Sequence, residues 1–207
     1  MIAIVDYGAG NLTSVRLALK ALGSPAGITC EPSAVLAAEK VILPGVGAAG
    51  KAMKSLESTG LAAAVKDAVS RGTPFLGICL GTQIVLEFSE ENGGTPCLGL
   101  VPGKAIKFSR GRDPQKIPQM GWNTVIQRRP HPLFSGINNE SEFYFVHSYY
   151  PAPPGEYVIG ETEYAGVTFA SAIARDNLVA AQFHPEKSGR IGLQMLKNFI
   201  EWNGKPC

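Results

Sequence analysis

The tightest constraint on the fold is an alternation in the first half of the chain. Short apolar runs that read as buried strands are separated there by stretches with helical period. IAIV at 2–5, VIL at 41–43 and PFLGI at 74–78 are the strand candidates. Between the first two, Leu12, Val15, Leu19 and Leu22 recur on one helical face, with Asn11 placed to cap the start and Gly23 to end it. Further helices are expected at about 50–56, at 61–69, and after Cys79 through about Glu87. Strands alternating with helices pair in parallel through right-handed crossovers.

The second half changes character. Segments near 105–108, 123–126, 143–149, 157–160, 168–174 and 178–183 read as β, consistent with antiparallel additions. An amphipathic helix at about 189–202 closes the chain, with Ile191, Met195, Leu196 and Phe199 on one side. No repeat, low-complexity tract or linker interrupts the pattern, so residues 1–207 are expected to form a single α/β domain. With 45% hydrophobic residues and 24 glycines, the composition is that of a compact soluble protein rich in tight turns.

A net charge of +2 leaves no footprint for nucleic acid or a membrane surface. No run of about 18 apolar residues suggests a membrane span, and MIAIVDYGAGN does not read as a signal peptide. The four cysteines, Cys30, Cys79, Cys97 and Cys207, lack the spacing of a zinc site or a disulfide framework and fit reduced thiols in a cytoplasmic setting. GAGN at 8–11 lacks the GxGxxG spacing of a dinucleotide site, and no metal or other cofactor is expected.

Chemistry concentrates at PFLGICLGTQ. A strand that stops at Cys79 and continues at once as a helix must turn sharply and project the thiol, and Gly77 and Gly81 remove the Cβ atoms that would clash. At a helix start the aligned peptide dipoles favour the thiolate. A buried structural cysteine is the bland alternative, disfavoured by the Gly-x-Cys-x-Gly junction.

A nucleophilic thiol needs a base, and the base an orienting group. In AAQFHPEKSG, His184 follows an apolar run, and Glu186 two residues on would share its side in an extended segment stiffened by Pro185. His131, between prolines in RRPHPLF, reads as a structural residue in an exposed turn. His147, in YFVHSYY, should share a strand face with Phe145 and Tyr149 as a satisfied core or supporting histidine. PGVG at 44–47 could turn the Val46 or Gly47 amide toward a ligand beside the Leu80 amide, forming an oxyanion hole.

GICLGTQ, FHPEKSG and PGVG together resemble the class I, or triad, glutamine amidotransferases. The resemblance implies a three-layer α/β sandwich with a mostly parallel central sheet, whose cysteine attacks the side-chain amide of L-glutamine, releases ammonia and forms a glutamyl thioester that water hydrolyses. Cys79 would be the nucleophile, His184 the base and acid, Glu186 the orienting carboxylate, and Val46, Gly47 and Leu80 the oxyanion hole. DYGAGNLTSV, QMGWN at 119–123 and YFVHSYY at 144–150 narrow the likeness to the glutaminase subunits of imidazole glycerol phosphate synthase, which serve histidine biosynthesis. Gly45, Gln83, Glu91, Ser148 and Tyr149 would then hold the substrate, with Glu90 an alternative to Glu91. Asn11, Trp122 and Lys187 would face a cyclase subunit, a separate (β/α)₈ barrel that receives the ammonia in a heterodimer. Thr82 stands where that family usually has Met, a change expected to tune substrate access. A glutaminase subunit of another synthase, or a non-catalytic domain with an oxidant-sensing cysteine, would carry several of the same motifs.

Overall fold

The structure, a computed structural model, describes residues 1–8, 10–109 and 116–205; Cys207 and Ala9 of the GAGN turn lie outside them. The first half runs β1 (Ile2–Val5), α1 (Leu12–Ala21), β2 (Ala26–Thr29), α2 (Pro32–Leu36), β3 (Lys40–Gly45), α3 (Ala49–Ser58), α4 (Leu61–Ser70), β4 (Phe75–Cys79) and α5 (Leu80–Ile84). The second runs β5 (Phe88–Ser89), β6 (Thr95–Pro96), β7 (Lys104–Lys107), β8 (Gln119–Gln127), β9 (Ser141–His147), β10 (Tyr149–Ala152), β11 (Val158–Tyr164), β12 (Val167–Arg175), β13 (Leu178–Ala181) and α6 (Gly189–Glu201).

A nine-stranded mixed sheet has the order β2-β1-β3-β4-β13-β12-β11-β8-β9. The β2, β1, β3, β4 and β13 strands are mutually parallel, and β12, β11, β8 and β9 extend the sheet antiparallel. A four-stranded sheet, β10-β7-β5-β6, stands beside it. The β1, β4 and β13 strands are buried throughout because helices cover both faces. Alternate residues feed two cores. Ile4, Ile42, Leu76 and Val179 pack toward α1 and α6, while Val5, Leu43, Phe75 and Ala180 pack toward α3 and α4.

Four local expectations change. Asn11 sits at the start of α1 in the left-handed region (φ 74°) without capping it by its side chain, which is engaged elsewhere. The α5 helix stops at Ile84 rather than near Glu87, because amides of the 97–101 segment take the carbonyls of Ile84, Val85, Leu86 and Glu87. The β-rich run at 143–149 divides at Ser148, where the chain leaves the large sheet as β9 and joins the small one as β10, so Tyr149 does not share a strand face with His147. His131 is half-buried rather than exposed. Its Nδ1 accepts the Leu133 amide at 3.1 Å, its ring meets Trp202 edge-on at 5.4 Å, and burial followed by the Arg129 charge lowers its pKa to about 4.

Candidate active site

The adjacent parallel strands β3, β4 and β13 release their carboxyl ends at the same edge of the sheet, and the candidate residues gather there. Cys79 is the last residue of β4 and has φ 54° and ψ −105°, a strained conformation for a residue with a Cβ. Packing enforces it, since α5 lies so close to β3 that a Cβ at Gly81 would fall 1.9 Å from the Leu43 carbonyl oxygen. Only five residues long, α5 offers the sulfur a short stack of dipoles. Two direct neighbours flank the sulfur: the Val146 carbonyl, 3.8 Å from Cys79 Sγ, accepts from the thiol, and the Gln182 side-chain nitrogen, 3.7 Å away, donates to it.

His184 follows β13 and is almost fully buried. Glu186 reaches it through a 3₁₀ turn at Pro185–Lys187 rather than along an extended strand. His184 Nδ1 lies 2.7 Å from Glu186 Oε1, and both side chains are out of solvent. The same Oε1 accepts from Asn11 Nδ2 at 2.5 Å, which places Asn11 on this carboxylate. The Ser188 hydroxyl donates to the His184 carbonyl and accepts the Tyr144 amide, fixing the turn against β9. His184 Nε2 is buried without a hydrogen bond of standard geometry, and the charges that act on the ring are those of Cys79 and Glu186. Burial lowers the His184 pKa, but hydrogen bonding and charge from Cys79 and Glu186 outweigh it and raise it to about 10, so the imidazole is held protonated.

A cavity of about 260 Å³ opens over the sulfur. Its walls include Val46, Gly47 and Leu80 on one side, Gln83 and Glu91 on another, and Val146, Ser148 and Tyr149 where the chain crosses between sheets. Gly45 stands behind this wall, paired in register with Cys79 and covered by the Tyr7 hydroxyl. Glu91 lines the cavity, but its Oε2 accepts the Ala49 amide at 2.6 Å, anchoring the start of α3; Glu90 is exposed. Ser148 and Tyr149, expected to hold the substrate, line the cavity, but the Tyr149 carbonyl is occupied by Gln83 Nε2 at 2.9 Å and His147 Nδ1 at 2.8 Å. Thr82 does not line the cavity: fully buried, it donates to the Ala181 carbonyl at 2.6 Å and staples α5 to β13.

His147 is a supporting residue. Burial, partly opposed by its bond to the Tyr149 carbonyl and reinforced by the His184 charge, lowers its pKa to about 4. His147 Nδ1 lies 2.8 Å from the Tyr149 carbonyl oxygen and Nε2 lies 2.9 Å from the Gln119 side-chain oxygen, so the ring is held between β10 and β8. Trp122 is 55% exposed and touches Tyr144 edge-on, Met120 is 66% exposed, and Lys187 is exposed. Met120 is registered opposite Val146, so this apolar patch begins at the cavity wall. Gln182 was not among the residues that motif reasoning selects. The available signal was a polar side chain inside the apolar run LVAAQF.

Residues 3–202 match the profile of the glutamine amidotransferase class-I family, and the chain belongs to it. Within it, the chain is 52% identical over 207 residues to the imidazole glycerol phosphate synthase subunit HisH of Nitratidesulfovibrio vulgaris (strain DSM 19637 / Miyazaki F), covering 98% of this chain and 97% of that protein. It is 51% identical over 202 residues to the subunit of the same name from Herpetosiphon aurantiacus, covering 97% and 94%. A solved glutamine amidotransferase shares the fold with a TM-score of 0.75 at 18% identity, covering 97% of this chain and 98% of that one. The structure of PurLQS from Thermotoga maritima does so at 0.74 and 17%, covering 97% of each chain.

Proposed function

We propose that the chain hydrolyses L-glutamine to glutamate and ammonia on Cys79 and supplies the ammonia to the cyclase subunit of imidazole glycerol phosphate synthase in histidine biosynthesis. The thiolate attacks the side-chain amide carbon, and the Leu80 amide with that of Val46 or Gly47 holds the oxyanion. His184 Nε2 gives its proton to the departing nitrogen, leaving a glutamyl thioester; it then takes a proton from the water that hydrolyses that ester. Glu186 keeps the imidazole oriented and stabilises its charged form. The Gln83 side-chain oxygen, the second oxygen of Glu91 and the Ser148–Tyr149 segment contact the amino-acid end of the substrate, with Gly45 fixing the turn behind them.

Ammonia released into water is protonated and lost, so the cavity needs a partner over it. A (β/α)₈-barrel cyclase seated against Trp122, Met120 and Lys187 would close it, giving a heterodimer in which residues 1–207 act as one domain in the cytoplasm. Among the described residues no helix is long and apolar enough to cross a membrane. The observation that carries the reading is the buried His184–Glu186 pair, 2.7 Å apart, held against a cysteine in a strained strand-to-helix turn.

With its cyclase present, the purified protein should release glutamate from glutamine, and Cys79→Ala should lower the rate by several orders of magnitude. It should likewise fail to restore growth of a histidine auxotroph lacking this subunit. Equal rates for the two proteins would defeat the proposal.

A further inference from the structure

We infer that Gln182 is a catalytic residue whose side-chain N–H is the fixed donor to the Cys79 sulfur, aimed by a relay that starts at the Tyr149 carbonyl. The inference rests on Cys79 acting as the nucleophile. Gln182 follows β13, is fully buried, and has its backbone amide on the Ser171 carbonyl at 2.9 Å. Its Nε2 lies 3.7 Å from Cys79 Sγ, and its Oε1 accepts from Gln83 Nε2 at 3.0 Å.

The direction of this amide follows from its neighbours. A carbonyl oxygen only accepts, so Gln83 must turn its NH₂ toward the Tyr149 oxygen at 2.9 Å. The second hydrogen of that NH₂ then meets Gln182, which must answer with its oxygen. With its oxygen committed, Gln182 has only its NH₂ to offer the sulfur. Each link excludes the flipped amide of the next.

An amide donor does what His184 cannot. The imidazolium supports the sulfur only while it keeps its proton, which it gives to the leaving nitrogen. When water attacks the thioester, the C–S bond breaks, sulfur takes the bonding pair, and His184 takes a proton from the water. The Gln182 N–H does not transfer, so it stabilises sulfur's negative charge both before attack and on expulsion.

The test is the rate of Cys79 alkylation by iodoacetamide against pH, read by peptide mass spectrometry so that Cys30, Cys97 and Cys207 are counted separately; it needs neither glutamine nor the cyclase. Gln182→Met keeps the length and removes the N–H. It should be alkylated roughly tenfold more slowly at pH 7, with the gap closing at high pH where every thiol is ionised. Gln182→Glu should be slower still. A packing role for Gln182 predicts that Gln182→Met superimposes on wild type across the pH range, and that result overturns the inference. If Gln182→Met does not fold, NMR of the wild-type Gln182 side-chain amide decides: its resonances should move as Cys79 ionises, and their failure to move refutes the contact. Ordinary thiol reactivity of wild-type Cys79 would instead count against the nucleophile itself.

Discussion

Replacing Gly81 with alanine tests whether close packing of α5 on β3 holds Cys79 in its strained turn. The added Cβ would lie 1.9 Å from the Leu43 carbonyl oxygen and 3.1 Å from its carbon, whereas real Cβ atoms essentially never come within 3.0 Å. Relief needs a shift of about 1 Å. Both contacts are backbone, so no flexible side chain can absorb it. The Leu43 peptide is tied to Gly77 in the β3–β4 ladder, and α5 carries the Leu80 amide and Gln83. Overpacking of this kind costs about 1–3 kcal/mol, and the upper end applies where two backbones collide. A 1 Å displacement of aligned groups costs about 10²-fold in rate. Urea denaturation and glutaminase assays should therefore find Gly81→Ala destabilised by about 3 kcal/mol, with kcat/KM reduced at least about a hundredfold. Gly99→Ala is the control, because Gly99 has a positive φ (67°) but nothing within 4 Å of an added Cβ; it should show backbone strain of about 1 kcal/mol and normal activity. A Gly81→Ala protein with unchanged midpoint and rate would refute the packing argument.

Stability should be greatest near pH 6.5. His147 and His131 are held neutral with pKa values near 4, so the unfolded chain binds protons they refuse and stability falls as pH drops from about 6.5 to 4; His147 accounts for about 3 kcal/mol and the partly exposed His131 for less. His184, held protonated, acts in the opposite direction, and its contribution is lost as pH rises from about 6.5 toward 10; urea midpoints at three pH values check both limbs. Asn11→Gly, which tolerates the φ of 74°, removes the amide on Glu186 and should lower kcat about tenfold with KM unchanged; a changed KM alone would place Asn11 in substrate binding instead. Thr82→Val should cost about 1 kcal/mol in thermal unfolding through its lost bond to Ala181, while KM stays constant because Thr82 does not face the cavity.

What the sequence disclosed and what it hid have separate physical causes. Parallel strands buried on both faces produce uninterrupted apolar runs, so β1, β3 and β4 are visible without coordinates, and the Cys79 turn is visible because close backbone approach demands glycine at 81. The end of α5 is invisible because amides from 97–101 capture its carbonyls. The break at Ser148 is hidden within a run whose residues all favour strands, since only the pairing partners change there. Asn11 looks like a cap because Asn suits that position, yet its amide is spent on a carboxylate 175 residues away. The motifs present the substrate-facing residues as one set, but the structure commits the Tyr149 carbonyl and one oxygen of Glu91 to other partners.

The direction of β13 decides whether the candidate site can exist. The sheet reverses at this strand, which runs parallel to β4 and antiparallel to β12. Its register sets Ala181 beside Ile78, so the next residues, Gln182 to His184, leave the sheet where Cys79 does. Had β13 entered beside β4 antiparallel, its carboxyl end would lie at the opposite edge, roughly 13 Å away for a strand of this length. Neither an imidazole nor an amide side chain spans that gap. The antiparallel half must therefore return to β13 through the long β11–β12 hairpin, and that same excursion supplies β9, whose crossing at Ser148 covers the sulfur. Reversal of the sheet and assembly of the site are thus one topological event, which is why nucleophile and base can lie more than 100 residues apart in sequence and still meet at one edge.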